Sequence, residues 1–314
     1  MTTAITIGMI IIYVAIMMGI GVYTARQTRS VSDFVLGSHS VGSWLTAFAY
    51  GTSYFSAVVF IGYAGQFGWT YGVSAAWVGV GNALLGSLLA WIVLGRRTRI
   101  MTQSLGAKTM PEYFEKRWNS KGLKIAAALI VFVFLIPYTA SVYNGLSRLF
   151  NMAFQIESEG AYKIIIIVMA LLTAIYVILG GYAATAINDF IQGIVMLIGI
   201  AAVVICAIQN QGGLTSALAA LGEIEVNGKT NTLNSVFGPD PLNLLGVVIL
   251  TSLGTWGLPQ MIHKFYAIKS ENDIKKGAVI STVFALIVAG GSYLQGGFDR
   301  LFCTCLLYTS DAAD

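Results

Sequence analysis

Charge is the scarcest thing in this chain, and most of the apparatus of catalysis is missing with it. Of 314 residues only 10% are Asp, Glu, Lys or Arg, and there are two histidines, three cysteines and five prolines. No H-E-x-x-H, G-x-S-x-G or Walker A pattern occurs, and neither His39 nor His263 has a nucleophile beside it in sequence, so the chain reads as no enzyme. Both histidines fall in or beside expected cytoplasmic loops, where solvated imidazoles are the ordinary case. Cys206 sits in an apolar run and Cys303 and Cys305 in the last segment, which makes no metal or redox framework. What is abundant is hydrocarbon: 56% hydrophobic residues and a mean hydropathy of +0.76 are the values of a multi-span membrane protein.

Apolar runs long enough to span a bilayer fall at residues 3–23, 44–67, 73–94, 125–150, 164–179, 186–208, 244–268 and 278–294, which predicts eight helices. With the N-terminus outside, 14 of the 18 basic residues lie on the cytoplasmic side, leaving Arg148, Lys163, Lys229 and Arg300 outside. The net charge of +4 is thereby a matter of topology rather than of a nucleic-acid partner. The first span, within 1–24, lacks a basic n-region and a cleavage pattern, so it is expected as a retained extra helix. Residues 44–208 then hold a complete five-helix unit, 209–242 an outer loop linking two repeats, and 243–302 the first two helices of a second unit. Residues 303–314 lose membrane periodicity and are expected as a non-native tail. Thr109, Pro111 and Glu112 carry capping-box spacing, predicting a short cytoplasmic helix to about Trp118.

The second run, 44–67, has a small, hydroxyl-rich middle, Tyr50-Gly51-Thr52-Ser53-Tyr54-Phe55-Ser56, and is expected to break inside the membrane. The seventh is interrupted by Gly254, Gly257 and Pro259. Paired interruptions at corresponding positions point to an inverted-repeat transporter, because unpaired backbone groups survive in hydrocarbon only where protein or a cavity satisfies them. Polar residues gather at three expected midplane positions: Thr52, Ser53 and Ser56; Tyr138, Thr139 and Ser141; and Thr251, Ser252 and Thr255 beside Trp256. Each alone is also what close helix packing would select. Together they suit a sodium ion, a hard cation satisfied by carbonyl and hydroxyl oxygens, better than a divalent metal that wants carboxylates. Asp189 is the exception, since a carboxylate at bilayer depth costs about 2.5–3.5 kcal/mol and must have either a function or a partner such as a nearby lysine.

At these residues the chain resembles the sodium:solute symporter family, which includes sodium/proline, sodium/pantothenate and sodium/sugar carriers. The likeness is carried by Asp33-Phe34-Val35-Leu36-Gly37, the Ser53–Ser56 break, Thr109 to Phe114, Gly180-Gly181-Tyr182-Ala183-Ala184 with Asn188-Asp189, and Gly257-Leu258-Pro259-Gln260. The Gly180 to Asp189 stretch is the most specific and is similar to the pantothenate-carrier branch. The resemblance implies an all-α polytopic membrane protein with a leucine-transporter-type inverted repeat, made of an extra first helix, a complete first repeat and a partial second one. It also implies alternating access driven by sodium, import of a small organic solute, and a place in the cell's inner (plasma) membrane. Carried over by position, the carbonyls of Thr52 and Phe55 resemble sodium ligands, with Ser56 and Asp189 in sodium coupling and Tyr138 beside the solute. Ser53, Thr251, Thr255 and Trp256 complete the expected solute surface. The chain departs from the proline carriers at Tyr54, Thr251, Thr255 and His39. The alternative reading is the solute-sensing membrane module of a signalling protein, which a kinase-like domain further along the natural chain would reveal.

Overall fold

The computed structural model describes residues 2–26, 28, 30–37, 41–55, 58–154, 158–226 and 228–302. Ser56, His39 and the expected tail at 303–314 lie outside them. The described chain is helical almost throughout: α1 (Thr2–Ala25), α2 (Val31–Leu36), α3 (Ser43–Tyr54), α4 (Ala64–Tyr71), α5 (Ala76–Gly81), α6 (Arg96–Leu105) and α7 (Met110–Trp118). There follow α8 (Lys121–Phe154), α9 (Glu159–Asn210), α10 (Leu214–Glu223), α11 (Pro241–Leu253), α12 (Pro259–Ala267) and α13 (Glu271–Phe298).

The eight apolar runs do not each come as one separate, unbroken helix. Among the described residues five are long and apolar enough to cross a membrane, or six if α11 and α12, bent by 54° at their junction, count as one. The reason is that neighbouring runs adjoin through glycine joints rather than through loops. The last residues of the second apolar run and the whole of the third fall in one nearly all-helical stretch, Ala64–Leu105, which is broken at Gly72 (φ 63°, ψ −141°) and loosened by π-helical turns at Asn82–Leu88 and Trp91–Gly95. The fifth and sixth runs share α9, which is two helices joined at Gly181. The leucine-transporter-type arrangement that the resemblance implied is corrected to an all-α polytopic fold with long, broken helices. The loop at 209–242 also has structure of its own, for α10 packs Ala217 and Leu221 with Leu233 and Phe298 in a small satellite core.

Gly181 earns its place twice over. Its backbone is left-handed (φ 59°, ψ −150°), and a Cβ there would lie 2.6 Å from the Phe34 carbonyl oxygen. The joint in α9 thus seats α2, whose Ser30 and Asp33 form a reciprocal capping box at its start. The predicted α7 cap is present in part: the Thr109 hydroxyl accepts from the Glu112 N–H at 3.4 Å, while the Glu112 carboxylate accepts from Lys108 rather than from Thr109.

The main core lies around α13, which packs against α3, α4, α5 and α9. At its tightest point a Cβ on Gly68 of α4 would stand 2.1 Å from the Gly296 carbonyl carbon, so glycine is needed for the two backbones to touch. Tyr50, Trp91 and Phe265 cluster by their rings at 5.0–5.7 Å and tie α3 to α12. Arg99 of α6 donates to the carbonyls of Ile268 (3.0 Å) and Lys269 (2.6 Å), holding the corner between α12 and α13. The Lys269 N–H is bonded to the Val41 carbonyl just ahead of α3.

Candidate ion and solute site

The break in the second run is real at the described residues. Phe55 closes α3 with its N–H on the Gly51 carbonyl (2.9 Å), then leaves helical geometry at φ −97°, ψ 79°; helical structure resumes as a π-helical turn at Val58–Tyr63. The last carbonyls of an α-helix have no partner within it, so Thr52, Ser53 and Tyr54 present peptide oxygens at this end. Phe55 is buried and stacks on Tyr54 with ring centroids 4.5 Å apart.

One side of the break meets a neutral hub. The Asn82 side-chain oxygen, itself 1% exposed, accepts from the hydroxyls of Tyr54 (3.0 Å), Thr251 (3.1 Å) and Ser252 (3.1 Å). Three hydroxyls exceed its two lone pairs, and two of them have alternatives: Tyr54 reaches the Thr251 carbonyl at 2.9 Å and Thr251 reaches the Val247 carbonyl at 2.9 Å. The π-helical stretch that carries Asn82 offers two more acceptors. The Trp256 indole N–H donates to the Leu85 carbonyl (2.9 Å) and the Tyr50 hydroxyl to the Gly86 carbonyl (3.0 Å). Such widened turns recur at functional sites because they loosen the regular ladder. Thr255 donates to the Ser252 carbonyl at 3.0 Å within the same bend.

Of the expected solute residues, Thr251, Thr255 and Trp256 are thus brought together beside Tyr54. Ser53 is half-buried at the end of α3. Tyr138 stands apart, on α8, across from the bend. It lines a cavity of about 730 Å³ with Phe114, Leu135, Gly257, Leu258 and Pro259, and an adjoining one of about 430 Å³ that reaches Gln260, His263 and Lys264. The Gln260 amide and the Tyr182 hydroxyl are buried there without hydrogen-bond partners.

A second, charged cluster lies on the other face of α3. The Asp189 carboxylate of α9 pairs with the Lys264 ammonium of α12 at 3.4 Å, and Lys264 is only 6% exposed. The ammonium also lies 5.2 Å above the Tyr182 ring. Thr52, whose hydroxyl donates to the Phe48 carbonyl at 2.9 Å, stands beside the Asp189 carboxylate. His263, expected in a solvated setting, is instead bonded through its Nε2 to the Val35 carbonyl (2.7 Å) and meets Tyr182 edge-on at 5.3 Å.

Sequence reasoning missed Asn82 and Lys264. Asn82 is the lone amide in an apolar run, a signal in itself; Lys264 reads in sequence as one of the cytoplasmic charges, although it is the basic residue within the seventh run and opposite in sign to Asp189. Among the described residues no group of three or more His, Cys, Asp or Glu could hold a metal. A cation at the break would be held by peptide and hydroxyl oxygens.

These features define a polytopic membrane protein with a polar helix break buried among apolar spans. Residues 34–305 match the model of the sodium:solute symporter family, and the chain belongs to that family. It is similar to the sodium/proline symporters of Staphylococcus aureus strains JH9 and COL, each 34% identical over 274 residues. The match covers 85% of this chain and 51% of each relative, so the chain spans about half the length of the curated relatives it matches. A solved structure of the substrate-bound outward-open state of a Na+-coupled sialic acid symporter superposes with a TM-score of 0.69 at 18% identity, over 96% of this chain and 61% of that one. This likeness concerns the fold alone. It overturns the leucine-transporter-type assignment in favour of the fold of a sodium-coupled symporter.

Proposed function

We propose that this chain forms the sodium-binding part of a secondary active symporter that imports a small organic solute by alternating access. The observation that carries the reading is the end of α3: peptide oxygens at a helix break, flanked by a hydroxyl hub that links it to the bend between α11 and α12. Sodium is held by the carbonyls of Thr52 and Phe55 with Ser56. The solute lies against Ser53, Thr251, Thr255 and Trp256, with Tyr138 closing from α8. Asp189 acts in sodium coupling through its place beside the end of α3, with its charge balanced by Lys264.

Sodium bound at the break stabilises whichever arrangement of α3 and α11 keeps those oxygens converged, and differential affinity of the two states for sodium and solute drives the cycle. The basic-residue bias supports a plasma-membrane protein with its N-terminus outside. Likeness to sodium/proline symporters supports sodium coupling. The test is uptake of radiolabelled amino acids, monocarboxylates, pantothenate and sugars by the full-length protein with sodium or with choline. One solute should be taken up in sodium only, and Ser56→Leu should abolish that uptake. Uptake indifferent to sodium replacement overturns the coupling.

A further inference from the structure

The pair between Asp189 and Lys264 is unusual for its place. The other ion pairs described, Arg96 with Glu271 and Lys124 with Glu115, are closed at 2.7 Å and at least one partner of each is well exposed. Lys264 and Asp189 are separated by 3.4 Å, and their side chains keep only 8% and 21% of their exposure. A charge in such surroundings needs a partner of opposite sign. The carboxylate is in addition one residue type a sodium ion would seek, and it stands beside Thr52, whose peptide oxygen we assign to sodium.

We propose that Lys264 is a built-in cation for Asp189, and that its ammonium keeps a metal ion off this carboxylate, so the residue at position 264 sets how many sodium ions the carrier binds. This rests on the sodium reading above.

The geometry gives the ammonium three reasons to stay. The carboxylate lies on one side and the π-face of Tyr182 on another, 5.2 Å away, where the ring quadrupole attracts a cation. Lys264 also sits in the last turn of α12, where the helix dipole favours positive charge. The position is set by the fold rather than by a flexible stem alone. His263, its neighbour, is locked onto the Val35 carbonyl, and Arg99 holds the corner just beyond α12. A sodium ion approaching Asp189 would have to stand against a like charge at a distance where screening by water is poor, and one carboxylate cannot neutralise both. With the ammonium replaced by a methyl group, the same pocket presents a carboxylate and the Thr52 hydroxyl to a cation with no competitor.

The test is the number of ²²Na⁺ ions bound per purified full-length protein. Lys264→Met should bind one more sodium than the wild type, and Asp189→Asn in that background should remove it; Lys264→Arg, which keeps the cation, should match the wild type. The thermal midpoint of Lys264→Met should rise with sodium chloride over choline chloride by more than that of the wild type. No added sodium in a folded Lys264→Met protein overturns the proposal. The neutral double variant Asp189→Asn/Lys264→Met decides the matter even if Lys264→Met does not fold. Binding equal to the wild type supports the proposal, whereas loss of one sodium means that Asp189 holds the ion with Lys264 present and overturns it. Failure of the wild type to bind any sodium would instead sink the parent reading.

Discussion

The end of α3 is held on two faces by polar groups of opposite character. Towards the π-helical stretch and α11, Tyr54 joins hydroxyls that share the Asn82 amide; towards α9 and α12, Thr52 faces the pair of Asp189 and Lys264. Residues two apart on a helix point to different sides, so one short segment can serve both. The neutral side has spare acceptors, and its hydroxyls can exchange partners without leaving a charge bare. On the charged side neither partner can leave without stranding a buried charge. The neutral face suits a surface that must rearrange around a solute, and the charged face suits one that must close in a single way.

Breaking the charged face should cost most. Asp189→Asn strands a buried ammonium and is expected to lower stability by about 3–5 kcal/mol, read as the thermal midpoint of the detergent-solubilised protein; adding Lys264→Met should recover most of the loss. If the single variant is as stable as the wild type, the pair is not a closed element. Asn82→Leu should cost less, about 2 kcal/mol. Tyr54 and Thr251 retain the Thr251 and Val247 carbonyls, which leaves Ser252 as the hydroxyl stripped of its acceptor. Solute affinity should fall more than sodium affinity, and the reverse would assign the hub to the ion.

Smaller effects sharpen the contrast. The buried hydroxyls of Ser87 and Ser281 pair at 2.8 Å between the π-helical stretch and α13. Ser87→Ala alone should cost about 1–2 kcal/mol, whereas the double alanine variant should be close to neutral, because a buried polar group is costly chiefly when its partner is removed. Trp256→Phe removes one indole bond to the Leu85 carbonyl and should cost about 1 kcal/mol. Its clearest readout is a raised KM for the solute with the sodium dependence unchanged.

Several motifs that looked separate along the chain prove to be one assembly. Asp33 to Gly37 forms α2 and its left-handed end, its Phe34 carbonyl fills the space that Gly181 leaves open, and its Val35 carbonyl anchors His263 of α12. Gly181 then begins the second half of α9, which carries Asp189 to Lys264. The glycine pair and the aspartate were legible because hydrocarbon punishes both a broken helix and a charge unless each has a use. The partner was not, because a lysine near the end of an apolar run looks the same in sequence whether it reaches the headgroups or folds inward.

From residue order alone follow the membrane-spanning character, the polar break at 50–56, the bend at Gly254 to Pro259 and the cap at Thr109, all of which depend on local hydropathy, hydroxyl content and backbone freedom. Only the tertiary structure decided that neighbouring apolar runs meet at glycine joints such as Gly181, that Asn82 gathers three hydroxyls, and that Lys264 turns to Asp189 across 75 positions of chain. Those outcomes depend on which helix faces meet. Hydropathy along a single chain cannot specify that, since in hydrocarbon every apolar face is equally content until close packing and buried polar groups choose between them.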